Sequence, residues 1–305
     1  MDIEQVDLRE IRYFLAVAEE ASFTRGAAAA RVSQPAVSQA VKLLEERLGC
    51  DLFERIGRDV RLTPAGDEFR RHALRLINLM GDVGVAMNDF TQARRGSLTV
   101  GVVQTANACL LPRLLPKFLK AHPGIDLRIA EHSAGGIEDG LRRGELHIGI
   151  GFAVPPESAL EFEPLLDEDL VVIGKSVGAT MSPAKVAQRD LVLLGRGFCT
   201  RNLIDTAFGG AGMPLRPVLE MNSIEGILAV VSDSAMLTIL PKLALETRSA
   251  RGLKSATVTP LPHRLRRVLG LLWRAGAYRS PLAQAFAEAL RRVLLPGPSP
   301  ASSRR

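Results

Sequence analysis

Residues 22–49 read SFTRGAAAARVSQPAVSQAVKLLEERLG, and their pattern decides the fold of the first part of this 305-residue chain. Val37, Val41, Leu44 and Leu48 recur 4, 3 and 4 residues apart, so a helix from about Gln34 to Leu48 buries that face. Gly49 stops it. An alanine-rich helix follows Ser22-Phe23-Thr24, and a turn at Arg31-Val32-Ser33 joins the two. This is the logic of a helix-turn-helix. The later helix starts with Gln34 and carries Pro35, Ser38, Gln39 and Lys42 opposite its apolar side. That face is uncharged near its start and rich in hydrogen-bonding groups, which suits base edges in a major groove. Thr24, Arg25 and Ser33 stand at helix N-termini, placed for phosphate contacts that set register rather than sequence. The same pattern also fits an ordinary three-helix unit with a solvated polar face.

Working outward, Leu8, Ile11, Leu15 and Ala18 predict a preceding helix. Asp51 to Leu62 alternates around Gly57-Arg58-Asp59, which predicts a small β-hairpin carrying Arg55, Arg58 and Arg61 as a basic wing. Thr63-Pro64 is a helix start: Thr caps, and Pro is tolerated in the first turn. From there to about Gln92, the residues Phe69, Ala73, Leu76, Met80, Val83, Met87 and Phe90 follow spacings of 4, 3, 4, 3, 4 and 3. Such a heptad seam wants a partner helix, although an amphipathic helix packed on its own chain would share the pattern. The expected divisions are a DNA-binding domain over 1–62, a dimerisation helix and hinge over 63–95, and an α/β domain over 96–305.

In that last part the pattern changes to strands alternating with helices. LTVGVV, IDLRIAE, ELHIGIGF, DLVVIG, LVLLG, RPVLEM, LTILP and VLGLLWR read as strands, with a last helix near Leu282–Leu294. The alternation predicts parallel sheets with helices on both faces. The end, PGPSPASSRR, reads as a disordered tail over 296–305.

The chain is 47% hydrophobic and 24% charged, enough apolar surface to exclude general disorder. No run approaches the roughly 18 apolar residues of a membrane span, and MDIEQVDLREIR has no signal-peptide core, so a cytoplasmic location is expected. The net charge of +6 invites a nucleic-acid reading, but its placement does not support one. Residues 1–62 hold 9 Lys and Arg against 11 Asp and Glu, and residues 96–170 hold 6 against 11. Residues 171–305 hold 19 against 7, an excess read as a solvated face and tail.

The run FLAVAEEASFTRGAAAARVSQPAVSQAVKLLEERLGCDLFERIGRDVRLTPAGDEF closely resembles the winged helix-turn-helix of LysR-type transcriptional regulators. The matching parts include Ser22-Phe23-Thr24, Ser33-Gln34-Pro35-Ala36-Val37-Ser38, Leu52-Phe53, Arg55 and Leu62-Thr63-Pro64-Ala65-Gly66. Further matches run through LLPRLLPKF, HPGIDLRIAE, GELHIGI and ILP; IEDGL, ELHIGIGF and TILP loosely resemble the cyanate-responsive branch. The resemblance implies a winged helix-turn-helix, a long linker helix and a two-lobe sensor like a periplasmic solute-binding protein. Lobe 1 would take about 96–165 and 267–295, and lobe 2 about 166–266. It further implies double-stranded promoter DNA and RNA polymerase as partners, a dimer and tetramer, and a small-molecule effector between the lobes.

Ligands in such sheets sit at the carboxyl ends of strands near helix N-termini. Those places are Gln104 and Thr105, Ser133, and Phe198, Cys199, Thr200 and Arg201. Thr105 aligns with a position that often holds a ligand-binding Ser or Thr in the family. Arg201 would pair with a small anion or carboxylate, or else brace a lobe. Cys199 reads as an inert buried thiol sooner than a redox sensor. The chain departs from the family at Gly26 and Ala30, which predicts a weaker second helix. It departs also at Ser234 and Met236, where many members carry glycines.

An enzyme is a poor reading. Gly149-Ile150-Gly151 lacks the third glycine of a nucleotide fingerprint, and no Walker, HExxH, GxSxG or Cys/His metal pattern occurs. Cys50, Cys109 and Cys199 are scattered, so neither metal nor cofactor is expected. Glu131 and His132 are strand neighbours expected to point to opposite faces. A small-molecule receptor without DNA function is the alternative, supported by the α/β part alone.

Overall fold

Asp7 opens the first helix of the computed structural model, which describes residues 5–56, 59–91, 96–155, 158–261 and 265–294. The Asp7 side chain accepts from the Arg9 N–H, and Glu10 reaches back to the Asp7 N–H, a reciprocal capping box that starts α1 (Leu8–Glu20). Two compact units follow, residues 1–87 and 88–305.

In the first unit α2 (Phe23–Ala29) and α3 (Gln34–Leu48) complete the three-helix layer, and β1 (Phe53–Ile56) pairs antiparallel with β2 (Asp59–Leu62). Ile11, Phe14, Val17, Val37, Val41, Leu44 and Leu52 form its core. Glu10 and Arg47 tie α1 to α3, at 2.5 and 2.7 Å, with Glu10 almost fully buried. Gly26 is where α2 crosses α1: a Cβ there would lie 2.9 Å from the Val17 Cα. The glycine that was expected to weaken α2 thus lets two backbones touch, and Ala30 is the C-cap rather than a position inside α2.

The helix α4 (Pro64–Thr91) runs 28 residues, and Thr63 starts it by accepting from the Gly66 N–H. The predicted seam divides along it. Ala73 is fully buried and Phe69 packs edge-on against Phe14, ring centroids 5.0 Å apart, so both belong to their own domain's core. Ala73 cannot face a second chain, whereas Phe69 is half-buried against that core. Leu76, Met80, Val83 and Met87 are exposed by 45–53%. The Phe90 side chain lies outside the described residues.

The second unit begins with β3 (Ser97–Val102), α5 (Gln104–Cys109), α6 (Leu111–Ala121), β4 (Asp126–Glu131), α7 (Ala134–Arg142) and β5 (Ile148–Phe152). β4, β3 and β5 pair in parallel, as predicted. Next comes β6 (Leu160–Gly174), a 15-residue strand longer than the DLVVIG run that announced it. Then follow β7 (Thr180–Met181), α8 (Pro183–Ala187), β8 (Val192–Leu194), α9 (Cys199–Gly210), β9 (Leu219–Met221), α10 (Ile224–Asp233), β10 (Thr238–Pro241), β11 (Lys254–Val258), β12 (Arg266–Arg274) and α11 (Pro281–Leu294).

The sheets are mixed rather than all-parallel. β12 runs antiparallel to both β5 and β6, and β6 runs antiparallel to β10 and β11. The reason is that β6 serves two sheets. Its first part, to Asp169, pairs with β12, and its last part, from Leu170, pairs with β10. One strand therefore crosses from lobe to lobe, with β12 beside the crossing. Near the middle the register with β12 shifts between Leu269 and Gly270, opposite Pro164, which has no N–H for the ladder. Gly270 is required there, because a Cβ would lie 2.3 Å from the Glu163 carbonyl oxygen.

Lobe 1 packs α6, α7 and α11 on its sheet through residues such as Leu114, Phe118, Ile137, Ile150 and Phe286. Lobe 2 has a core on each face of its sheet, one around Ile204, Phe208 and Leu193, the other around Ile227, Leu228 and Val192. At the departure after α10, Ser234 has extended backbone and its side chain accepts from the Met236 N–H, so the turn needs no glycine. No helix among the described residues is long and apolar enough to cross a membrane.

Candidate functional site

The polar face of α3 is built by its burial pattern. Val37, Val41 and Leu44 are buried, which leaves Gln34, Pro35, Gln39 and Lys42 exposed and Ser38 half-buried. Ser33 is the N-cap but makes no capping bond, so its hydroxyl stays available. Gln34 Nε2 donates to Ser38 Oγ at 2.7 Å, one turn along, which fixes the Gln34 amide on this face. Lys42 lies 3.7 Å from Glu46, a solvated pair. Thr24 is exposed in the first turn of α2. Arg25 is exposed too, with its guanidinium donating to the Glu20 carbonyl. Arg58 and the side chain of Arg55, both assigned to the wing, lie outside the described residues.

In the second unit a cleft of about 360 Å³ opens at the carboxyl ends of β3, β4 and β5 and at the first turn of α9. Of the residues expected there, Gln104, Thr105, Ser133, Phe198, Cys199 and Thr200 all line it. The Ser133 hydroxyl oxygen caps α7, accepting from the Gly136 N–H at 3.1 Å. Cys199 is exposed, not buried as expected. Arg201 is absent from the lining, and the expectation that it meets a ligand is corrected. Its side chain is 1% exposed and turned into lobe 2, bonded to Asp205 at 2.9 Å, Glu220 at 2.8 Å and the Leu194 carbonyl at 2.9 Å. It braces α9 against β8 and β9.

The cation in the cleft is Arg267, from the start of β12. Its Nε donates to Glu168 Oε2 at 2.8 Å, its Nη1 to Thr200 Oγ1 at 2.6 Å and its Nη2 to Thr105 Oγ1 at 2.9 Å. The guanidinium carbon sits 4.6 Å from the centre of the Phe152 ring. Arg267 therefore joins Thr105 of lobe 1 to Thr200 of lobe 2 while anchored to the crossing strand. Both threonine oxygens accept from it, so their own O–H groups are free to donate into the cleft. Burial pulls the Arg267 pKa down, opposed by the Glu168 carboxylate. Behind it, burial and then Glu168 push the Cys109 thiol up to about 12, so Cys109 stays protonated.

Other cleft groups departed from the reading of the sequence. β4 ends at Glu131, so strand alternation does not govern His132, and both residues line the cleft. Glu131 accepts from the Asn107 amide at 2.7 Å. The sequence signal for Arg267 was the pairing of RLRR before VLGLLWR with the acidic stretch around Glu168. That signal needs the antiparallel register to be read. Among the described residues, no group of His, Cys, Asp and Glu is placed to hold a metal ion.

Comparison with known proteins gives consistent matches. Residues 8–67 match the model described as bacterial regulatory helix-turn-helix protein, lysR family, and residues 91–295 match the LysR substrate binding domain. The RuBisCO operon transcriptional regulator of Allochromatium vinosum is 32% identical over 293 residues, covering 93% of this chain and 95% of its own. A full-length OxyR variant of Pseudomonas aeruginosa superposes with a TM-score of 0.65 at 28% identity, over 93% of this chain and 94% of that one. Full-length CbnR in complex with its target DNA gives 0.57 at 26% identity, over 94% and 99%.

Proposed function

This chain belongs to the LysR family of transcriptional regulators, and from that premise we propose how its two parts divide the work. The first unit reads promoter DNA. Gln34, Pro35, Ser38, Gln39 and Lys42 meet base edges in the major groove. Thr24, Arg25 and Ser33 meet phosphates, and Arg55 and Arg58 of the wing hold the flanking backbone. The observation that carries this is the exposed, hydrogen-bonding face of α3 over a fully buried Val37–Val41–Leu44 side.

The exposed seam residues Leu76, Met80, Val83 and Met87 of α4, with exposed Leu79 beside them, pair with the same helix of a second chain, and two such dimers make a tetramer in the cytoplasm. RNA polymerase is the downstream partner. The effector is a small molecule bearing a carboxylate or similar anion, seated between the lobes against Thr105, Thr200 and Arg267. It shifts DNA contacts by its differential affinity for two arrangements of the assembly. Only IEDGL, ELHIGIGF and TILP support a place beside the cyanate-responsive branch, so the effector is not named from it.

DNase footprinting with the region upstream of the chain's own gene tests this reading. Protection in half-sites about one helical turn apart is the expected result. Absence of protection at low salt would sink it.

A further inference from the structure

The cleft holds polar groups of both kinds. On the α9 side it presents donors. The Thr105 and Thr200 hydroxyls, turned into donors by Arg267, stand beside the first turn of α9, whose N-cap Phe198 supplies no capping side chain. The N–H groups of that turn therefore lack a side-chain acceptor and favour a negative group. It also presents acceptors. Gln104 gives its Nε2 to the Asn222 carbonyl, which orients the amide and leaves Oε1 buried with no partner. Glu131, also lining the cleft, has one carboxylate oxygen on Asn107.

A buried amide oxygen without a donor is costly, and its presence in a cleft points to what fills the cleft. The charge balance points the same way. Arg267 is neutralised by Glu168 at 2.7 Å, and among the described residues no cation pairs with Glu131 in the lining. A plain anion would satisfy the two hydroxyls and leave Gln104 Oε1 without a donor. Val103, Phe152, Leu194 and Phe198 supply apolar lining to the same cleft.

Building on the proposed effector cleft, we propose that the ligand is a zwitterion: an amino acid with an apolar side chain. Its carboxylate sits on Thr105, Thr200 and the first turn of α9. Its ammonium donates to Gln104 Oε1 and Glu131, and its side chain lies on Phe152 and Phe198.

The test uses the full-length dimer and thermal shift followed by calorimetry. The probes are L-valine, L-leucine, L-methionine and L-phenylalanine. Each is paired with its deaminated acid (3-methylbutanoate, 4-methylpentanoate, 4-(methylthio)butanoate and 3-phenylpropanoate) and with its decarboxylated amine. At least one amino acid is expected to bind, with its deaminated acid and its amine each weaker by tenfold or more. Glu131→Gln is expected to bring the amino acid and its deaminated acid to within about threefold while leaving the melting temperature of the unliganded protein unchanged. Equal binding of an amino acid and its deaminated acid overturns the zwitterion and leaves an anion-binding cleft standing. No binding by any of the four amino acids also overturns it. Retained promoter footprinting in the same preparation separates either failure from failure of the regulator reading.

Discussion

Arg267 and Glu168 face each other across β12 and β6 with their Cα atoms in register, and their side chains meet at 2.7 Å with only 8% and 3% of their surfaces exposed. The pair sits at the place where β6 passes from one lobe's sheet to the other's. It holds the guanidinium that links Thr105 to Thr200. A buried pair of this kind adds little net stability over an apolar pair, but losing one member leaves a buried charge uncompensated.

Arg267→Gln is therefore expected to destabilise the second unit by about 3–5 kcal/mol, read by urea unfolding. The double variant Arg267→Met with Glu168→Leu is expected to recover most of that loss while the effector response stays absent. A double variant as unstable as the single one would contradict the claim that the loss is an unpaired charge.

Thr105 reaches Arg267 with its hydroxyl and is 5% exposed, so Thr105→Val removes one polar group from the cleft at almost constant shape. It leaves an Arg267 N–H unsatisfied, costing roughly 1–3 kcal/mol. The effector dose response is expected to weaken while promoter affinity without effector stays unchanged. An unaltered dose response would remove Thr105 from the ligand's contacts.

Met80 and Met87 are 46% and 53% exposed, whereas Ala73 is fully buried. Met80→Glu with Met87→Glu is expected to give a folded monomer in sedimentation equilibrium, because like charges then face each other across the paired helices. Ala73→Glu is expected to unfold the first unit instead, since it forces a carboxylate into that unit's own core. A dimeric double variant would place the interface elsewhere.

Gln34 is held on the polar face of α3 by its bond to Ser38, and Arg58 is assigned to the wing from the sequence. Gln34→Ala is expected to cost about 1–3 kcal/mol at the cognate site and little on random DNA. Arg58→Ala is expected to weaken both alike and to lower the salt slope by about one. Equal losses on both DNAs for both variants would refute the division of labour.

Glu163 takes both guanidinium donors of Arg291, at 2.7 and 2.8 Å, and those hydrogen bonds hold its pKa below the ordinary carboxyl value. A depressed folded pKa contributes stability that is present above the unfolded value of about 4.3 and lost as pH falls through the folded one. Both side chains are more than a third exposed, so the contribution is about 0.5 kcal/mol at most. Wild type is expected to exceed Glu163→Gln by that margin at pH 7 and to match it near pH 3. A gap that widened on acidification would reverse the sign of the argument.

The elements of the first unit were legible because each carries its own period and its own cap: Val37–Val41–Leu44 for α3, Thr63-Pro64 for α4. What lay beyond the sequence was tertiary. Nothing local told that Phe69 and Ala73 serve the domain core while Leu76 and Met80, in the same heptad pattern, face outward. β6 was read short because Glu161, Glu163 and Asp167 interrupt its apolar run. Those acids are balanced from elsewhere, by Arg279, Arg291 and Arg266, and Glu168 by Arg267. Four arginines of the basic end thus answer four acids of β6. The cleft's threonines could be placed by strand ends, but its arginine could not, since 99 residues separate Arg267 from Glu168. Arg201 drew attention instead because it follows Thr200, although on a helix the next residue points about 100° away.

Whether α3 reads a base sequence is decided by fluorescence anisotropy over a salt series. The full-length protein would be titrated into the duplex upstream of its own gene and into a scrambled duplex of equal length and composition. The upstream duplex is expected to be preferred by at least about a thousandfold, a preference that persists as salt rises and both affinities fall. Equal affinities for the two duplexes, falling together with salt, would contradict it.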